Sequence, residues 1–362
     1  MKIGIIGLEQ SGKTTLFNAL TSTSPGDQFA SGKRDAHMSM VKVPDARLDR
    51  LHVLYPTGKK TPATIEYVDV AGLGKGATQR KGFQDQFLGN VKNVDALLCV
   101  IRAFENDAVP HPEGSVDPQR DWRIIEDEFM LSDMAILDNR IQRLSKDVKK
   151  VKDARGQAEL EVCQKCYACL EEERPLRELD LSDEEAKLIK GFQFLTEKPV
   201  LIVLNIGEGE IAEEVAFLKK YAKLADGKNK VVVVLSANLE MEISQLPDED
   251  KAAFQEEMGI KEPALNKMIR HSYNLLGLMS YFTAGEKEVR AWTIKKNTRA
   301  QSAAGEIHSD IERGFIRAEV VPFETLSELT SLTKCKDQGV LRLEGKEYIV
   351  QDGDVITFRF NV

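Results

Sequence analysis

Apolar residues along this chain fall into short unbroken runs set among longer amphipathic stretches. Ile3-Gly4-Ile5-Ile6, Ala96-Leu97-Leu98-Cys99-Val100-Ile101, Pro199-Val200-Leu201-Ile202-Val203-Leu204 and Val231 to Leu235 alternate too little for strands with one wet face. Runs of that kind are expected where a parallel sheet is covered on both faces. Thr64 to Val70 alternates as a strand, Val41-Lys42-Val43-Pro44 reads as a short one, and Asp45 is placed to cap a helical turn over 46–51. Strands alternating with helical segments predict an α/β fold with an open, mostly parallel sheet and ligands at the carboxyl ends of its strands.

Between residues 118 and 196 the period changes. Met130, Met134, Leu137, Ile141, Leu144, Val148 and Val151 follow a 4, 3, 4, 3, 4, 3 spacing, an a/d seam over three heptads. Leu160, Cys163, Tyr167 and Leu170 supply a second seam after the Ala154-Arg155-Gly156 turn. The expectation is an inserted antiparallel helical hairpin whose first arm of about 30 residues reaches roughly 45 Å. Ser182-Asp183-Glu184-Glu185 is a capping box that returns the chain to the sheet domain through a helix ending near Gly191. Phe254 to Leu278 reads as one amphipathic helix. From about Met279 short β-like runs (290–294, 318–321, 348–350) predict a small α+β domain. The expected division is 1–117 with 197–277 as a nucleotide-binding domain of the G type, 118–196 as the hairpin, and 278–362 as the C-terminal domain.

Charge and cysteine content narrow the classes. With 58 acidic and 50 basic residues the formal charge is −8, which argues against coating nucleic acid by overall charge. The hairpin tip is the local exception: Arg140, Arg143, Lys146, Lys149, Lys150, Lys152 and Arg155 stand against Asp147 and Asp153. Two readings stay open there, a solvated helix face and a contact with RNA phosphates. Cys163-x-x-Cys166-x-x-Cys169 sits inside a helix without a nearby fourth cysteine or histidine, so core and surface thiols are expected rather than a metal centre. Five cysteines form no disulfide framework. Nothing reads as a signal peptide or a membrane span, so a cytoplasmic protein without membrane partners is expected.

The chemistry is carried by Gly7-Leu8-Glu9-Gln10-Ser11-Gly12-Lys13-Thr14, followed by Thr15, placed between the first strand and the helical pattern of 16–20. This is a G-x-x-x-x-G-K-[ST] phosphate loop in its required context. Its glycines let backbone N–H groups turn toward phosphate oxygens, Lys13 reaches the β- and γ-phosphates, and the Thr14 hydroxyl is placed to ligate Mg²⁺. Asp69-x-x-Gly72, at the end of a later strand, supplies the expected Mg²⁺ carboxylate and a γ-phosphate N–H. Asn205-Ile206-Gly207-Glu208 and Ser236-Ala237 end two further strands. The nucleotide candidates are therefore Gly7, Gln10, Ser11, Gly12, Lys13, Thr14, Thr15, Gly72, Asn205, Ile206, Glu208, Ser236 and Ala237. His111 and His308 receive no role.

These motifs, with Asp69-Val70-Ala71-Gly72-Leu73, Arg102-Ala103-Phe104-Glu105, Glu113 to Pro118, Tyr281-Phe282-Thr283-Ala284-Gly285, Gly314 to Glu319 and Gln351 to Val355, resemble the YchF/Obg-like ATPase family of P-loop proteins over essentially the whole length. The resemblance implies a coiled-coil hairpin, a β-grasp-like C-terminal TGS domain, slow ATP hydrolysis in the cytoplasm, and association with ribosomes. It reads Asn-x-x-Glu as a preference for ATP over GTP, with adenine at Asn205 and the backbone around Ile206. The loop lacks the lysine and aspartate of the guanine-reading Asn-Lys-x-Asp. Leu73 stands where related enzymes place a water-orienting glutamine. Two departures are specific to this chain. Glu9, Gln10 and Ser11 replace the family's Pro, Asn and Val, the Asn being linked to a monovalent cation such as K⁺. Phe29 to Arg34 occupies the first switch, leaving Ser31 as a weak substitute for its metal-binding threonine. A non-hydrolysing nucleotide sensor and a GTPase remain alternatives, and a monomer is the default.

Overall fold

In the computed structural model the described residues are 1–21, 37–56, 58–70, 89, 91–150, 153–258, 260 and 262–361. The chain forms two compact units, Met1–Ser39 with Glu66–Met268 and Met40–Ile65 with Ile269–Val362. Residues 40–65, which the sequence pattern groups with the nucleotide-binding domain, thus belong with the C-terminal unit.

The first sheet has the order β2-β4-β1-β5-β6-β7, with β1 Lys2–Ile6, β2 His37–Lys42, β4 Thr64–Asp69, β5 Ala96–Arg102, β6 Val200–Asn205 and β7 Lys230–Leu235. β1 pairs in parallel with β4 and β5, β5 with β6, and β6 with β7. Every residue of β5 and β6 is buried, which accounts for their unalternating sequences. Helix α1 (Lys13–Thr21) follows β1 directly. Because the strands run the same way, the turns after β1, β4, β6 and β7 open on one edge of the sheet.

The hairpin lies within the first unit. Helices α3 (Pro118–Lys150) and α4 (Ala154–Glu171) meet along Met130, Leu137 and Leu144 on one arm and Leu160, Cys163, Cys166, Cys169 and Leu170 on the other. Val151, the last seam position expected, lies outside the described residues. At its root the fully buried Asp133 carboxylate accepts from Leu195 N (3.0 Å), Thr196 N (2.8 Å) and Thr196 Oγ1 (2.7 Å), tying α3 to the segment entering β6. Arg177, also buried, donates to the Thr196 carbonyl and pairs with Glu126. The Ser182 capping box is formed in both directions and starts α5 (Asp183–Ile189).

One sequence expectation fails here. The stretch 254–278 is not one helix: α8 (Asp248–Glu257) ends before Pro263, α9 (Ala264–Leu275) begins after it, and Leu278 already opens a strand. Proline lacks the N–H a continuing helix needs, so it sits where a new helix starts. Before that break come α6 (Glu214–Lys220) and α7 (Ala237–Gln245).

In the second unit the sheet order is β11-β10-β12-β8-β9-β3, with β3 Lys60–Thr61, β8 Leu278–Ala284, β9 Val289–Lys295, β10 Phe315–Pro322, β11 Arg342–Glu344 and β12 Asp354–Phe360. Tyr281, Ile294, Ala318, Val320, Ile356 and Phe358 make one buried face, against which Ala300, Ala303 and Ala304 of α10 (Ala300–Ile307) pack. Tyr348-Ile349-Val350, read as a strand from sequence, forms only a single bridge from Ile349 to Arg299. Helix α2 (Ala46–Leu54) in this unit is capped by Asp45, as its sequence predicts. The fold is thus a P-loop α/β unit with an inserted hairpin and a β-rich C-terminal unit. No described helix is long and apolar enough to cross a membrane.

Candidate nucleotide site

The phosphate loop is held by two positions that only glycine fills. Gly7 adopts φ +150°, and a Cβ there would meet the Val100 carbonyl oxygen at 2.3 Å. Gly12 adopts φ +94°, and a Cβ would meet Asn205 Nδ2 at 2.3 Å. Gln10 also takes a left-handed conformation, φ 60°, a backbone state that recurs in loops whose N–H groups turn toward anions. Leu16 N donates to the Gly12 carbonyl at 2.9 Å, fixing the helix start against the loop.

Lys13 is buried, and its Nζ donates to the Leu8 carbonyl at 2.5 Å. Burial pulls its pKa below the usual lysine range, and the charges of Asp69 and Glu9 act in the opposite direction. The buried Cys99 thiol is itself pushed far up by desolvation, so it stays neutral. Thr14 is exposed and Thr15 half-buried at the start of α1. Asp69 is half-buried at the end of β4, paired in register with Ile5 beside the loop. An exposed hydroxyl and a carboxylate are hard-oxygen donors of the kind Mg²⁺ takes. Gly72, Leu73 and residues 29–34 lie outside the described residues.

Asn205 does something the sequence reading missed. Its Nδ2 donates to the Ser11 carbonyl (2.9 Å) and its Oδ1 accepts from Ala237 N (2.9 Å). It therefore clamps the phosphate loop to the first turn of α7, where Ser236 Oγ caps Leu239 N at 3.5 Å. The backbone N–H groups beside Asn205 are likewise engaged within the protein. Ile206 N donates to the Leu235 carbonyl (2.9 Å), and Gly207 N donates to Glu210 Oε2 (2.8 Å). Three N–H groups at this end of the sheet, on Ile206, Gly207 and Ala237, are thus spent inside the protein. A Gly207/Glu210 spacing of three is the only sequence sign of this capping.

Beside this loop a cavity of about 720 Å³ is lined by Ile206, Leu235, Leu239, Met258, Ser236 and Glu208. Its size is that of a small-molecule pocket. Glu208 is exposed at its edge, and a Lys267–Glu214 ion pair (3.3 Å) lies on the lining. Met258 and the Lys267 pair carry no motif and were invisible to spacing arguments.

His111, left without a role above, is buried next to the phosphate loop. Its Nδ1 accepts from Glu113 N (3.1 Å), so the proton resides on Nε2, which donates to Asp121 Oδ2 at 2.9 Å. Burial pushes the Asp121 carboxyl up, against the pull of Arg120 and His111. His308 is exposed and caps the short helix 309–313 through Asp310 N.

At the hairpin tip Arg143, Lys146 and Arg155 are exposed. Arg140 instead grips Glu159 across the hairpin (Nε–Oε1 2.7 Å). Lys149 and Lys150 belong to α3 with no description of their side chains, and Lys152 lies outside the described residues. The three helix cysteines are buried and free, and no metal-binding cluster occurs among the described residues.

Comparison with known proteins adds the following. Residues 2–165 match the family model MMR_HSR1, described as a 50S ribosome-binding GTPase, and residues 278–361 match YchF-GTPase_C, described as a protein of unknown function. The chain is 45% identical to a Bacillus subtilis protein named ribosome-binding ATPase YchF, covering 99% of each chain. It is 42% identical to the Escherichia coli O157:H7 protein of that name (100% and 99% covered) and 38% identical to Obg-like ATPase 1 of Caenorhabditis elegans (100% and 92%). The solved structure of the Schizosaccharomyces pombe YchF GTPase superposes with a TM-score of 0.85 at 29% identity, covering 99% of this chain and 97% of that one.

Proposed function

The chain belongs to the YchF/Obg-like ATPase family, and from that premise we propose that it is a slow, Mg²⁺-dependent ATPase that works in association with the ribosome. The observation that carries the choice of base is the commitment of Ile206, Gly207 and Ala237 N–H groups within the protein. Guanine offers a carbonyl acceptor at the position where adenine offers an amino donor. A loop whose donors are spent leaves that carbonyl unpaired, at a cost of about 1–3 kcal/mol, while the Glu208 carboxylate suits an amino group. The apolar wall of Ile206, Leu235, Leu239 and Met258 serves the faces of either base.

Lys13 and the loop N–H groups would hold the β- and γ-phosphates, and Thr14 with Asp69 would hold Mg²⁺, which neutralises charge developing on the transferred phosphoryl group. Gln10 is the residue through which K⁺ would act. With Leu73 unable to hold a water, turnover is expected to be slow unless a partner completes the site. The exposed Arg143, Lys146 and Arg155 supply the hairpin's cationic contact for ribosomal RNA. A cytoplasmic monomer is in keeping with these roles.

The test is a competition of ATP and GTP by calorimetry with Mg²⁺, beside phosphate release with and without ribosomes. ATP binding at least about tenfold tighter than GTP, the equivalent of about 1.4 kcal/mol, with release raised by ribosomes, is the expected result. Preferential GTP binding overturns the base assignment. Nucleotide binding with no release in any condition replaces the enzyme by a nucleotide-sensing ribosome-binding module, the reading that Glu9 motivates.

A further inference from the structure

The reading above leaves Glu9 unused, although it lies inside the phosphate loop. Lys13 Nζ, the group that reaches the β- and γ-phosphates, is bonded to the carbonyl of Leu8, the residue immediately before Glu9. The end of the loop that carries Glu9 therefore borders the terminal phosphates rather than the base. Glu9 is exposed, has no hydrogen bond among the described residues, and is near enough to Lys13 to act on its charge. Gln10 behind it is in the left-handed conformation, so the backbone holds the loop crest in a fixed curl.

A loop of this shape attracts anions through its N–H groups and the helix start. A carboxylate at its crest works against that attraction, and most strongly for the phosphate that carries the highest charge and lies farthest from the helix. Lys13 offsets only part of it, because the same ammonium also lies in the field of Asp69.

We infer that Glu9 is a specificity-determining residue that sets this phosphate loop to hold a nucleoside diphosphate more tightly than the triphosphate. The inference rests on the nucleotide site proposed above. It describes a protein whose resting state is the diphosphate complex, and for which loading of the triphosphate is the regulated step.

The experiment measures, by calorimetry with Mg²⁺ on the full chain, the affinities for ADP and for a non-hydrolysable ATP analogue in wild type, Glu9→Gln and Glu9→Pro. Wild type is expected to hold ADP at least about tenfold tighter than the analogue, the size of one like-charge contact at partial screening. Both variants should tighten the analogue about tenfold and leave ADP within about twofold, the unchanged ADP affinity also showing that the loop is folded. An analogue-to-ADP ratio that is the same in Glu9→Gln as in wild type overturns the inference and leaves the nucleotide site standing. So does a wild type that prefers the triphosphate. A Glu9→Gln variant that loses phosphate release without moving the ratio overturns it in favour of water positioning by the carboxylate. Failure of wild type and variants to bind either nucleotide overturns the site itself, and the inference with it.

Discussion

Asn205 shows how much one side chain decides at this site. Its amide joins the Ser11 carbonyl to the Ala237 N–H, and Gly12 must lack a Cβ to let it approach. Asn205→Ala leaves a buried acceptor and a buried donor unpaired, and about 2–4 kcal/mol of stability should be lost. Asn205→Asp should be worse although it is closer in shape, because a carboxylate cannot donate and faces the Ser11 carbonyl. Urea unfolding of the two variants checks the order; an Asn205→Asp protein more stable than Asn205→Ala would show that the amide does not bridge the two loops. The Asn-x-x-Glu loop at the end of a buried strand marked Asn205 as a candidate for the site. It did not show that the partners are protein groups.

At the scale of elements, the hairpin was legible because a heptad seam is a local periodic signal, and α3 and α4 follow it closely. The cysteine spacing that invites a metal site is resolved by packing. Cys163 and Cys166 face the seam, and burial pushes their thiols up to about 11 and about 12. At pH 8 no more than about one in 1,000 Cys163 side chains is a thiolate, so iodoacetamide should label these residues only after unfolding. Prompt labelling of native protein at pH 8 would show the seam to be open. The sign of the pH dependence follows. A folded-state pKa raised above the unfolded value gives a stabilisation that is complete below about pH 8.5 and lost as the pH climbs through about 11–12. Alanine at both positions should flatten that decline. The failed helix over 254–278 has the opposite lesson. Its apolar spacing continues through Pro263, but the backbone cannot, and helix and strand are redistributed around the break.

For the molecule as a whole, a formal charge of −8 and a cationic hairpin tip are compatible because screening limits the reach of each charge to about 8–10 Å. Reversing Arg143, Lys146 and Arg155 together should weaken cosedimentation with ribosomes, and more at about 50 mM than at about 200 mM salt. Nucleotide affinity should be unchanged; ribosome association indifferent to the three reversals would remove the hairpin from the contact. Arg140 is left out of that set because the structure spends it on Glu159. This division between what is local and what is not runs through the protein. The amino-acid sequence by itself determined the parallel sheet, the phosphate loop, the capped helices and the hairpin, since each depends on residues within a few turns of one another. Tertiary structure alone decided that residues 40–65 join the C-terminal unit, that Asp133 anchors the hairpin, and that the N–H groups of Ile206 and Gly207 are consumed within the protein. Those outcomes depend on which distant polar group is close enough to satisfy a buried one, and no periodicity along a chain encodes that distance.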